Sequence, residues 1–517
     1  MTTAITKHTQ HSNIMAVSNL RLKFPGAASL LFKDLSFTAH EGEKVLFLGP
    51  SGCGKSTLLQ VLSGLIPHST EVPIKHDNIQ LPETYGFVFQ DPDTQFCMPY
   101  VDEELAFVLE NLQVPRQDMD AKIKDVLQSV GLDAVSPHTL IQSLSQGMKQ
   151  RLALASVLLL DPDVIFLDEP SALLDPEGTI QIWDAVKAVA ANKTVIIVEH
   201  KIDHIADWVD RVILFNHDGK MIADHPPEQI FKQFKHELIE YGIWYPGVWQ
   251  DYIASETFKT QMTRRINKQQ SVDENKPLVE LSEFKGYHGK QEKIHVKDAT
   301  IDKKSWITIV GDNGAGKSTL LLALMRLIHA TGHYHINGRL IDLTDKKKTP
   351  PKELSLVFQN PELQFVTHTV FDEIAFSLQL QKLSSKAIKQ EVARLLCTFQ
   401  LHVEDDHHPY QLSIGQKRRL SVATAFAHHS NILILDEPTF GQDAQNTFMM
   451  LEQLEYLRQQ GTTIVMVTHD MHIVEHFATE VWTIEQGQLT AITQPEKQTP
   501  FYREADQNES TRLIHTP

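Results

Sequence analysis

Gly49-Pro50-Ser51-Gly52-Cys53-Gly54-Lys55-Ser56-Thr57 and Gly311-Asp312-Asn313-Gly314-Ala315-Gly316-Lys317-Ser318-Thr319 are the two stretches that decide the fold. In the first copy an apolar run at 45–48 precedes the stretch, and residues of helical composition at 55–65 follow it. Gly-x-x-x-x-Gly-Lys-Ser between a strand and a helix is the spacing of a loop that wraps phosphates. Its glycines let backbone N–H groups point inward, and the helix N-terminus adds partial positive charge. These eighteen residues are the candidate nucleotide contacts, with Lys55 and Lys317 reaching the β- and γ-phosphates. Ser56 and Ser318 are candidate hydroxyl ligands for Mg²⁺. A single match is compatible with a glycine-rich turn carrying a surface lysine; two in register are not.

The register extends along the chain. VFQDPDTQF around Gln90 recurs around Gln359, LSQGMKQRLALA around Ser145 recurs as LSIGQKRRLSVA around Ser413, IFLDEP around Asp168 recurs as LILDEP around Asp436, and VEH at His200 recurs as VTH at His469. The first pair is offset by 262 residues (49 to 311) and the others by 268 or 269 (145 to 413, 90 to 359), so one domain is written twice. Short branched runs at 164–167 and 194–198 alternate with helical stretches at 148–160 and 178–191. That alternation predicts an α/β fold with buried parallel strands and active loops at their carboxyl ends. Asp168-Glu169 and Asp436-Glu437 end apolar runs: the aspartates suit Mg²⁺, and the glutamates suit polarisation of an attacking water.

Composition narrows the classes. The chain of 517 residues is too long for one core, and its formal charge of −17 argues against a large nucleic-acid footprint. Three cysteines make no disulfide framework, which points to a reducing compartment. The longest apolar run, 152–160, falls far short of the ~20 residues that span a bilayer. Work at a membrane would therefore pass through a partner. The pairs His407-His408 and His428-His429 lack ligand-like neighbours and read as surface residues.

On these motifs the chain resembles the ATP-binding-cassette family across nearly all of both halves. The resemblance implies two P-loop domains in tandem, each with a mainly parallel core sheet, a helical subdomain and an antiparallel N-terminal subdomain. It also implies ATP and Mg²⁺ as cofactors and two composite sites, each completed by Ser145 and Gly147 or by Ser413 and Gly415 of the opposite half. Both signatures depart from the family pattern at their third position, and Met148 stands where glutamine is usual, so the two sites are expected to turn over unequally. By the same resemblance Gln90 and Gln359 sense Mg²⁺ and water, His200 and His469 are switch histidines at the γ-phosphate, and Asp175 and Asp443 are loop aspartates linking the sites. Phe24 and Tyr287, 25 and 24 residues before Gly49 and Gly311, are the candidate adenine-stacking aromatics.

Gln-x-Pro-x-x-Gln-Phe, present at both Gln90 and Gln359, resembles the ATPases of energy-coupling-factor importers of vitamins and metal ions. That likeness implies docking of a transmembrane partner near 95–112 and 364–376, with Val101, Leu105, Val108 and Leu112 as an apolar helical stripe, and a peripheral place on the cytoplasmic membrane face. The alternatives are a soluble tandem cassette protein acting on ribosomes and an exporter ATPase. The first calls for a long basic linker that the nearly neutral 236–276 does not provide. The expected organisation is a polar tail 1–13, domains at 14–235 and 277–490 joined by 236–276, and a polar tail 491–517.

Overall fold

The computed structural model describes residues 12–261 and 277–495, apart from 28, 173, 346–348, 402, 404, 405 and 429. Most of both expected tails, and 262–276 of the expected linker, lie outside the described residues. Two compact units result, Met1–Ile253 with Gly441–Phe448, and Ala254–Phe440 with Met449–Pro517.

In the first unit the core sheet runs Met221–His225, Arg211–Phe215, Lys44–Leu48, Thr194–Val198, Val164–Asp168, Tyr85–Val88. All pairings are parallel except that of the first two strands. Each central strand is apolar on both faces because helices cover it from either side. The helices expected from the sequence are present with shifted ends, at Lys55–Leu62, Gln146–Leu158 and Pro176–Val189. A separate antiparallel sheet pairs Asn13–Leu22 with Phe32–His40.

The second unit repeats this core with Glu480–Glu485, Trp306–Val310, Thr463–Val467, Ile432–Asp436 and Leu354–Val357. Here the antiparallel strands join the same ten-stranded sheet through one parallel pairing, His295 with Gln488. The residues just after Gln488, read from their polarity as a loose end, are a strand, Gln488–Thr493. It lies between the His295 strand and Glu480–Glu485, pairing antiparallel with the latter, and its side chains stay half-buried or exposed.

Residues 236–254, assigned from sequence to the linker, are also folded. Leu238, Ile243 and Tyr245 enter the first unit's core, and Val248–Ala254 is a helix. The indole N–H of Trp244 donates to the Gln442 carbonyl at 2.8 Å, and Phe448 stacks on Tyr252 at 4.0 Å with its edge to Trp249 at 5.0 Å. These contacts account for the two tryptophans that distinguish the segment. Among the described residues no helix is long and apolar enough to cross a membrane.

Candidate functional site

Each phosphate loop ends in a glycine, Gly54 or Gly316, at φ 103° or 109°, the left-handed region that glycine enters without strain. This turn aims the loop's N–H groups into the space where phosphate would lie. Lys55 Nζ folds back onto the carbonyls of Gly49 (2.8 Å) and Pro50 (3.0 Å), and Lys317 Nζ onto those of Gly311 (2.7 Å) and Asp312 (2.9 Å). Both ammonium groups are thus held over the loop's opening, where an incoming polyphosphate would take their hydrogen bonds.

The loop serine meets the strand-end aspartate in both halves. Ser56 Oγ donates to Asp168 at 2.7 Å, and Ser318 hydrogen-bonds Asp436. Hydroxyl and carboxylate oxygens brought together in this way are the donors a hard divalent ion prefers. Burial pushes the Asp168 carboxyl up to about 6, opposed by the Ser56 hydrogen bond and aided by the Glu169 charge. Burial raises Asp436 too. A carboxylate so poorly solvated gains from a cation at its side, so the residues present fit Mg²⁺.

One residue on, both glutamates have left-handed backbones, Glu169 at φ 49° and Glu437 at φ 47°. Such a conformation in a non-glycine residue costs on the order of 1 kcal/mol and concentrates at functional sites. It turns each carboxylate out of the strand, between the glutamine and the histidine of neighbouring strand ends. Gln90 Nε2 donates to Glu169 Oε2 at 2.8 Å, and His200 Nε2 stands 2.9 Å from Glu169 Oε1. Burial would raise Glu169, but the hydrogen bond and charge of His200, with Lys55, hold it below the ordinary range; the same contact raises His200 against burial. The second half is looser. Gln359 reaches Glu437 at 3.4 Å, and His469 Nε2 lies 3.2 Å from Glu437 without hydrogen-bond alignment.

Two charged residues that motif reading passed over differ between the halves. Glu199 is buried beside His200, accepting from Ser171 Oγ (2.7 Å) and the His200 N–H (2.8 Å), and burial raises its carboxyl. The second half has Thr468 in that place. Conversely, Arg418 stands where the first half has Gln150. Both donate to the carbonyl before the site glutamine, Gln150 to Phe89 at 3.0 Å and Arg418 to Phe358 at 3.3 Å. Burial pushes Arg418 down to about 10 against the charges of Glu437 and Asp436. Laying the two copies of the repeat side by side would have found both.

The signature serines cap their helices. Ser145 Oγ accepts from Met148 N–H at 3.3 Å; Ser413 Oγ accepts from Gln416 N–H at 3.3 Å, and Gln416 Oε1 accepts from Ser413 N–H at 2.9 Å. Met148 has no oxygen to close such a box, so the first signature is tied once and the second twice. Asp175 and Asp443 cap the following helices, accepting from Gly178 and Asn446 N–H at 2.7 and 2.8 Å.

The segment after each glutamine is clamped to the signature helix of its own unit. Lys149 Nζ meets both Asp93 oxygens at 2.8 Å, and Gln95 reaches the Ala153 carbonyl at 3.4 Å. In the second unit Lys417 meets Glu362 at 2.6 Å, and Gln364 donates to Ser421 O and Thr424 Oγ1, both at 2.8 Å. Phe365 is buried and Phe96 packs on the core. The Gln-Phe motif is therefore first an internal brace. The stripe expected to dock a partner is corrected likewise: Val101 and Leu105 are 0% exposed, because that face of the helix packs inward, leaving Leu112 and Phe107 outside.

Phe24 is exposed just beyond its strand, as an adenine platform requires. Tyr287 is engaged within the strand Val279–His288, its hydroxyl 3.4 Å from Thr331 and its ring tilted on His329. Asn19 and Glu283, left-handed at φ 52° and 46°, mark equivalent points on the two strands. Five residues beyond each lie Phe24 and His288, which makes His288 a further candidate beside Tyr287 for the adenine-stacking position. His288 Nε2 also lies 3.2 Å from Thr319 Oγ1 of the phosphate loop.

Comparison with known proteins follows this geometry. The ABC transporter family model matches residues 32–172 and 294–440. A Bacillus subtilis (strain 168) protein, provisionally named the HMP/thiamine import ATP-binding protein YkoD, is 35% identical over 506 residues, covering 92% of this chain and 90% of that protein. A Methanosarcina mazei protein, provisionally named an ABC transporter ATP-binding protein, is 30% identical over 522 residues, covering 92% and 88%. The archaeal ribosome recycling factor aABCE1, in complex with the ribosomal stalk protein aP1, has the same fold at a TM-score of 0.60 and 21% identity, over 91% of this chain and 88% of that one.

Replacing His288 with Ala is expected to weaken ATP binding by the equivalent of about 1–3 kcal/mol, or roughly 5- to 150-fold. Tyr287→Ala should change it less, and the reverse ranking in a nucleotide titration would select Tyr287. A second expectation concerns Asp168. Its raised pKa favours the protonated folded state, a contribution present below pH 4 and lost as pH rises through about 6. Without nucleotide or Mg²⁺, Asp168→Asn should therefore be the more stable protein at pH 8, by up to about 3 kcal/mol, with the gap closing below pH 6. Urea unfolding curves showing no such pH trend would refute the assignment.

Proposed function

The chain belongs to the ABC transporter family of ATP-binding proteins and is an ATPase, and from that premise we propose that it drives an energy-coupling-factor type importer of a vitamin or metal ion. Two nucleotide sites carry the hydrolysis, completed by Ser145 and Gly147 and by Ser413 and Gly415. Lys55 and Lys317 exchange loop carbonyls for the β- and γ-phosphates. Glu169 and Glu437 orient and polarise the attacking water, and His200 and His469 contact the γ-phosphate. Mg²⁺ would be held by Ser56, Asp168 and Gln90, and by Ser318, Asp436 and Gln359. When bound it neutralises phosphate charge.

The observation that carries the importer reading is an apolar surface beside the second glutamine segment. Leu363 is 72% exposed, Val366 68%, and Leu380 66%, with Phe376 one helical turn before Leu380. Exposed large apolar side chains gathered in one short region suit a membrane protein's coupling helix. The first unit offers Phe107 and Leu112 at the corresponding helix. A helix seated there would move the braced segment and, through it, both the signature helix and the glutamine on the catalytic carboxylate. The HMP/thiamine name of the Bacillus relative supports a vitamin-related solute and makes thiamine compounds the first to test. The place of action is the cytoplasmic face of the membrane, reached through that partner.

Glu169→Gln with Glu437→Gln should abolish turnover, to below roughly 1% of wild type, while ATP binding persists; undiminished phosphate release would refute the catalytic roles. The full chain should co-purify from detergent with a small polytopic membrane protein. Phe376→Glu with Leu380→Glu should remove that partner yet leave basal hydrolysis in place. Recovery of ribosomes in place of a membrane protein would overturn the importer reading.

A further inference from the structure

Just beyond the switch histidine of the second half, the helix Met471–Phe477 places three ligand-type side chains together. We propose that His472, Glu475 and His476 form a binding site for one first-row transition-metal ion of the zinc class, distinct from the Mg²⁺ that accompanies nucleotide. His472 and His476 are four residues apart and so share a helix face; their rings are parallel within 4°, centroids 6.4 Å apart. One donor atom from each of the three residues lies within 4.8 Å of the others, and His476 Nε2 stands 3.9 Å from Glu475 Oε2. Ligands about 2.0–2.2 Å from a tetrahedral zinc lie roughly 3.3–3.5 Å apart, so small side-chain rotations close the set.

The surroundings suit the role. Asp470 accepts the His472 N–H at 2.9 Å and fixes the helix start, while Phe258 sets its ring edgewise to His476 at 6.0 Å. Two imidazoles exclude Mg²⁺, which takes oxygen ligands, and favour zinc and its neighbours. The triad also does not follow from the switch histidine's own task. At the matching distances after His200 stand Asp203, Ala206 and Asp207, with no imidazole among them. With three protein ligands the fourth position stays open, as in exchangeable rather than purely structural sites. An ion there ties together the two turns of a helix that begins two residues after His469.

Isothermal titration of the nucleotide-free full chain with ZnCl₂, in buffer containing excess Mg²⁺, tests this. One zinc equivalent should bind, with affinity reduced roughly tenfold or more in both His472→Ala and His476→Ala and less in Glu475→Gln. His407→Ala, at a histidine pair elsewhere, should bind as wild type. Thermal melts without zinc should match wild type; should His476→Ala not fold, His476→Gln keeps its bulk and serves instead. Unchanged affinity in the His472 and His476 variants, or no binding by the wild type, would overturn the proposal.

Discussion

A glutamate carboxylate forced out of the end of a parallel strand, gripped on one side by a glutamine and on the other by a histidine, is the constraint around which each half is built. Glu169 reaches that position because its backbone turns left-handed, and the turn is sustained by a bond from its N–H to the Val198 carbonyl at 2.8 Å. The glutamine and histidine arrive from the two strands flanking it, whose order is fixed by the helical crossovers of a parallel sheet. The strain is affordable only because the strands beneath are fully buried and immobile. Slip the register of any of the three by one residue and the carboxylate loses a partner.

The two halves keep this arrangement and change its electrostatics in opposite directions. The first adds a buried carboxylate, Glu199, beside its histidine; the second adds a buried guanidinium, Arg418, facing its carboxylate pair. Met148 leaves one signature singly capped, and Gln416 closes a capping box on the other. A negative group near the switch histidine favours its protonated form, whereas a positive group near Asp436 opposes the rise that burial imposes on that carboxyl. The unequal turnover expected from the signature residues would then have a second source, inside each catalytic pocket.

Much of this was legible in the sequence. The phosphate loops, the carboxylate pairs and the alternating strands follow from local spacing and apolar runs, and their positions hold within a few residues. The departures share one cause: each depended on partners distant in the chain. Gln488–Thr493 becomes a strand because a neighbour supplies its hydrogen bonds, and 236–254 folds because Phe448 and the core receive its rings.

The same dependence changes what the Gln-x-Pro-x-x-Gln-Phe motif means. Its second glutamine and its phenylalanine face inward, one bonded to the signature helix and the other packed in the core, and the acidic residue two positions before that glutamine holds a lysine of the same helix. A buried Glu104 or Glu373 then pins the next turn by its backbone N–H groups. The segment is thus tied at one end to Glu169 or Glu437, through Gln90 or Gln359, and along its side to the signature helix. A displacement of the segment would therefore strain both attachments. On the importer reading proposed above, that double attachment is the route by which a push at the surface would reach both the glutamate and the signature helix.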